Sequence, residues 1–253
     1  MNIPSLAFDP NRVRPRQILI VLAICALAFA LRAAITFERA AGEPRFVPMP
    51  GMDQFAYVDF ARQMLDGYYP NAVFYFQPGT VYVYAALGRF IGIEPGMLRL
   101  GVGLLDALAC GWLAGAAWLL ARREWAGYLA ALGMAALYPV SVFYGTTLLS
   151  EPLTAQALAL FLFLLLWQRE RVVWWRSLAL GLVGGALAVL RLALVLVVLV
   201  WWLWLLLEKW GSLRTVLLHG ALSVLGMLLF IAPFTLSNAH FSGGRFIPIA
   251  ATD

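Results

Sequence analysis

The chain has 253 residues, 63% of them hydrophobic and 12% charged, with a formal net charge of +5. Soluble domains average about 45–50% apolar and about 25% charged, so this composition excludes an ordinary soluble domain. It indicates an all-α, polytopic membrane protein, whose lipid-facing helices need no polar side.

The basic excess does not point to nucleic acid. Outside the region from Arg32 to Arg99, most basic residues fall in short clusters between apolar runs, which is the positive-inside pattern. A spanning helix needs about 20 apolar residues. Runs that fit or nearly fit lie at roughly 17–36, 97–121, 126–147, 151–168, 174–190, 192–208 and 214–234, so the expectation is about seven transmembrane helices. The first follows Arg12, Arg14 and Arg16, which places the N-terminus in the cytoplasm. A cleaved signal peptide is the competing reading of this segment; it is set aside because further spans follow.

The remaining clusters fix the topology by parity. Arg122 and Arg123, then Arg169, Arg171 and Arg176, then Lys209 and Arg214 should all be cytoplasmic. The loop at about 38–96 is then extracytoplasmic, as are the turns near Ser150 and Arg191 and the tail after Pro233. The segment Pro78 to Gly92 is too short for a comfortable span and reads as a juxtamembrane or re-entrant helix. From Leu178 to Leu207 the only charge is Arg191. One helix of that length would measure about 45 Å, so two helices turning at Arg191 are expected. Cys25 and Cys110 read as small buried hydrophobes, and the isolated His219 and His240 give no metal-ligand spacing.

The first loop carries the most polar stretch, "GMDQFAYVDFARQMLDG", Gly51 to Gly67. At about 100° per residue Asp53 to Asp66 form an amphipathic helix, ended by Gly67. Asp59, Arg62, Gln63 and Asp66 share the polar face, where the two acids read as ion-pair partners of Arg62. Asp53 falls on the apolar arc with Tyr57, Phe60 and Met64. An acid against an apolar surface is partly desolvated and is a candidate catalytic group. The plainer reading is a helix N-cap, and the two are compatible.

Glu151, in "TTLLSEPLTAQ", also sits where a spanning run begins, on the same side as Asp53. Capping by Ser150, dipole complementarity from Glu151 and a first-turn Pro152 account for it without function. Arg191 reads either as a snorkelling side chain or as an anion contact at the interface. The tyrosines of the loop suit an interfacial belt or a headgroup pocket. "GVGLLD", Gly101 to Asp106, lies inside a spanning run and lacks the strand a dinucleotide loop needs.

Several segments recur in a familiar order: "LRAAITF", the loop aspartate with Tyr57 four residues on, "ARQMLDG", "QPG", "LYPVSVFYGTTLLSEPL", "GLVGGALAVLR" and "NAHFSGGRFIPIA". This order resembles the GT-C superfamily of polytopic glycosyltransferases, nearest the protein O-mannosyltransferase and lipid A aminoarabinose transferase branch. The resemblance implies one transmembrane domain over 1–253 in the plasma (inner) membrane of a cell envelope. It implies sugar transfer from a polyprenyl-phosphate donor to a lipid, glycan or protein acceptor at the extracytoplasmic face. Asp53 and Glu151 take the positions of the family's acids, and Tyr57 that of its tyrosine. The pattern departs at Gln54, where many relatives have Glu, at Gln77, where the aminoarabinose transferases carry Lys, and at Ala56, where they carry Arg. Arg62, Arg191 and Arg245 are the cations available for donor phosphate, with Gln77 beside them. Relatives continue into further helices and often an outer domain, which implies either a fragment or a compact variant with a partner subunit.

The expected chemistry is inverting displacement, with Asp53 as base toward an acceptor hydroxyl and cationic stabilisation of the phosphate leaving group. No cofactor is called for, although a divalent cation at the acids is compatible with the donors. The alternatives are a lipid-linked-sugar flippase, which should show inverted repeats with broken helices, and a non-catalytic scaffold subunit.

Overall fold

The computed structural model describes residues 14–42, 46–207 and 213–250. Arg12 and Lys209, used above for topology, lie outside the described residues. In chain order the helices are α1 Pro15–Gly42, α2 Asp53–Leu65, α3 Gly79–Ile91, α4 Pro95–Ala121, α5 Glu124–Leu132, α6 Pro139–Tyr144, α7 Ser150–Glu170, α8 Trp174–Leu190, α9 Val195–Leu207 and α10 Leu213–Phe241. No β-strand occurs among the described residues.

The expected seven spans are not what forms. Among the described residues four helices are long and apolar enough to cross a membrane: α1, α4, α7 and α10. Among the described residues the other three runs form shorter helices. The run at 126–147 breaks into α5, a π-helical turn at Gly133–Leu137, and α6. Pro139 drives the break, since the residue before a proline is pushed out of the helical region, and Tyr138 sits at φ −108°, ψ 89°. The run at 174–190 gives the 17-residue α8. The run at 192–208 starts with a 3₁₀ turn at Leu192–Leu194 and continues as α9, which is described over Val195–Leu207. The division of Leu178 to Leu207 falls at Arg191, which is extended at φ −153°, ψ 112°.

Helix α4 is central and packs on α1, α5 and α7, while α8 packs on α7 and α10. The α8–α10 seam is the closest. A Cβ on Gly181 would lie 1.9 Å from the Ser223 carbonyl oxygen, and one on Gly226 would lie 2.3 Å from that of Leu178. Small residues permit this backbone approach, a recurrent means of joining helices in lipid.

Buried polar groups tie the helices at intervals. Arg32 of α1 is fully buried and donates from Nε to Asp106 Oδ2 of α4 at 2.5 Å. It also donates to the carbonyls of Ala28, Ala135 and Met134 at 3.1, 2.9 and 3.2 Å. The last two belong to the π-turn, whose carbonyls need such partners in an apolar interior. Between α7, α8 and α10, Gln168 Nε2 donates to Ser177 Oγ at 2.7 Å, and Ser177 Oγ lies 2.7 Å from His219 Nδ1.

The two ends of the bundle differ in chemistry. One end gathers basic residues: Arg14 lies 4.0 Å from Glu124, Arg122 pairs with Glu170, and Arg176 sits 3.9 Å over the Trp167 ring. The other end carries α2, α3, the start of α7 and Arg191.

Candidate functional site

At the α2–α3 end a cleft of about 390 Å³ opens between the start of α2, the start of α7 and the turn after α8. Its lining includes Asp53, Tyr57, Phe76, Gln77, Ser150, Glu151 and Arg191. Five of the seven residues singled out from the sequence therefore meet in one place. Arg62 does not: it lines a separate pocket of about 90 Å³ with Val47, Phe55 and Asp59. Arg245 is not among the cleft residues either; it is exposed in the turn after α10, where its carbonyl accepts a bond from Ser242 Oγ at 3.0 Å.

Each wall has a local cause. Helix α2 forms because Tyr57, Val58 and Ala61 bury one face against α3, and it stops where Gly67 takes φ 81°. Its N-cap position is Met52, with no side-chain capping bond, so Asp53 is the first helical residue. Asp53 is exposed at the cleft mouth instead of being pressed among Tyr57, Phe60 and Met64. The expected ion pairs of Arg62 with Asp59 and Asp66 are absent among the described residues; Asp59 accepts from Gln63 Nε2 at 2.7 Å.

Helix α7 begins similarly. Leu149 occupies its cap position without a side-chain bond, so Ser150 does not cap, and its hydroxyl lies 3.4 Å from Glu151 Oε2. Glu151 stands in the first turn, where an acid complements the helix dipole. Its Oε1 also accepts from Arg191 Nη2, so the two roles coexist. Both side chains remain about half exposed.

Tyr57 forms the floor. Its ring packs edge-on against Phe76 and Tyr84, with centroids at 6.1 and 6.5 Å. Burial raises its phenol above the ordinary value, and the negative charges of Asp53 and Glu151 push the same way. Hydrogen bonding to Ser150 and the charge of Arg191 oppose this. The phenol thus stays protonated near neutrality and can donate to an oxyanion. Tyr84, fully buried behind it, donates to the Leu149 carbonyl at 3.1 Å and fixes the turn into α7.

The arrangement offers an acceptor of protons (Asp53), a guanidinium shared with a carboxylate (Arg191 and Glu151), and neutral donors (Tyr57, Gln77, Ser150). Among the described residues no group of three or more His, Cys, Asp or Glu side chains converges to hold a metal. Glu151 also borders a second cavity of about 480 Å³, lined mostly by apolar side chains including Met134, Tyr138 and Pro152, with Asp106 in its wall. Sequence reasoning passed over Asp106 as part of an apolar run. The available signal was an intramembrane acid, which by default has a partner. Comparison with family models, with curated proteins and with solved structures returns no match.

Proposed function

We propose that this protein is a membrane glycosyltransferase that moves a sugar from a polyprenyl-phosphate donor to an acceptor hydroxyl. The reading is supported by one observation above all: two carboxylates from distant segments and a guanidinium line the same cleft at one end of an apolar bundle. The sequence resemblance to GT-C glycosyltransferases assigns the same two acids.

In this mechanism Asp53 takes the proton of the acceptor hydroxyl as its oxygen attacks the anomeric carbon. The bond from that carbon to the phosphate oxygen breaks, and its electron pair leaves with the phosphate. A phosphate leaves as a stable anion and needs cationic stabilisation more than a general acid. Arg191 supplies that charge, with Tyr57 and Gln77 as neutral donors, and displacement inverts the anomeric centre. Glu151 holds Arg191 in place until phosphate shares it. The basic residues at the opposite end support a cytoplasmic side there, under the positive-inside bias, and an extracytoplasmic cleft.

Purified protein in nanodiscs, given radiolabelled polyprenyl-phosphate sugars and candidate acceptors, tests the reading. A new glycosidic product lost in Asp53→Asn supports it. Translocation of the lipid-linked sugar without any product, or neither activity, overturns it.

A further inference from the structure

Arg99 lies in the second turn of α4, fully buried, with its guanidinium 4.8 Å from the Phe46 ring centroid. Its Nη1 donates to the Thr146 carbonyl at 3.0 Å. Its Nη2 donates to the Phe46 carbonyl at 2.9 Å and to Gln54 Oε1 at 3.3 Å. Two of these partners, Gln54 and Thr146, lie in segments that lead to the cleft walls. Gln54 adjoins Asp53, while Thr146 opens the short strap that leads through Leu149 and Ser150 to Glu151.

The strap is held at other points as well. Arg39 Nη1 donates to Thr146 Oγ1 at 3.2 Å, and Tyr84 holds the Leu149 carbonyl. Arg99 reaches both the strap and the start of α2. A planar fork with fixed donor directions suits that task, since it cannot satisfy one partner by rotating away from the other.

We propose that Arg99 is a positioning residue that sets the separation of Asp53 and Glu151, acting through Gln54 on one side and Thr146 on the other. It touches no reactant. The consequence for rate rests on the glycosyl-transfer reading of the cleft; the bracing itself does not. Because misplacement by about 1 Å can cost roughly 10²-fold in rate, losing the brace should lower kcat by up to about that factor. Where only the Gln54 arm is lost, donor KM should stay near its wild-type value, because the strap leading to Glu151, the partner of Arg191, keeps its bonds to Arg99, Arg39 and Tyr84.

The test uses the full chain in nanodiscs, with Cys25 and Cys110 replaced by Ala and nitroxides at Asp66→Cys, just past the end of α2, and Leu158→Cys on α7. Arg99→Met risks the fold, because it strips buried carbonyls of their donor, so the variant of choice is Gln54→Leu, which cuts one arm and leaves Arg99 its carbonyl partners. The expected result is a broader or displaced distance distribution and a lower kcat. Gln54→Glu keeps the arm as a charge-assisted bond and should restore both. Superposing distributions in wild type, Gln54→Leu and Gln54→Glu would overturn the proposal whatever the rates. Distances that respond as stated in a protein that transfers no sugar would remove the enzymatic reading and leave the brace standing.

Discussion

Arg191 and Glu151, 40 positions apart in sequence, meet guanidinium to carboxylate at the cleft, and each is about half exposed. A pair this accessible to water contributes only about 0–1 kcal/mol to stability. Its significance is geometric: it joins the end of α8 to the first turn of α7 while leaving one face of the guanidinium open to solvent.

Arg191→Gln should melt within about 0.5 kcal/mol of wild type, the range of ordinary surface changes, yet lose most of its transfer activity at sub-saturating donor. Paired melting curves and initial rates check this. A large drop in thermal stability would mean that the pair is structural after all.

Asp53→Asn should lower transfer by at least about 10²-fold, the low end for a general base. Asp59→Asn, one helical face away and bonded to Gln63, should change it little. Initial rates in nanodiscs decide, and equal effects of the two substitutions would remove Asp53 from the base role.

The buried pair gives the opposite expectation. Asp106→Leu leaves the Arg32 guanidinium without its counter-charge, and breaking a buried pair typically costs about 3–5 kcal/mol. The double variant Arg32→Met, Asp106→Leu should lose less than the two single changes added together. Recovery should be partial, because Arg32 also serves the Met134 and Ala135 carbonyls. Unfolding in mixed micelles with increasing denaturing detergent measures all four proteins.

Burial raises the phenols of Tyr57, Tyr69, Tyr82 and Tyr84 above their ordinary value. The unfolded chain releases these protons near pH 10, while the folded chain keeps them. The stability they contribute is therefore fully present below about pH 10 and is lost as pH rises through the raised folded values. The α2–α3 end should open in alkali as phenolate absorbance grows. Tyr69→Phe should move that midpoint upward; a phenolate titration that ignores the unfolding transition would contradict this.

What the sequence made legible follows from which forces are local. Helix α2 could be read because its buried face repeats with the helical period and Gly67 ends it. The turn at Arg191 could be read because one charge divides a run too long for a single span. The three pieces between Glu124 and Tyr144 were misread as one span, although Pro139 marked the break, since hydropathy sums over a window and ignores a single backbone restriction. Asp53 is exposed although its angle falls on the apolar arc, because angle around a helix says nothing about whether its end projects past its neighbours. The partners of Arg99 are mostly backbone carbonyls, which have no sequence signature, and Arg32 finds Asp106 only after 74 intervening steps of chain.

The seam between Gly181 of α8 and Ser223 of α10 has a mechanical consequence. With no room for a methyl group between the backbones, neither helix can rotate or slide past the other without the two first separating, so they behave as one stiff post. The Arg191 backbone caps that post, tied by its N–H to the Leu187 carbonyl at 2.7 Å. Any widening of the cleft must then come from the opposite side, by α2 and the strap before Ser150 swinging away from a stationary abutment.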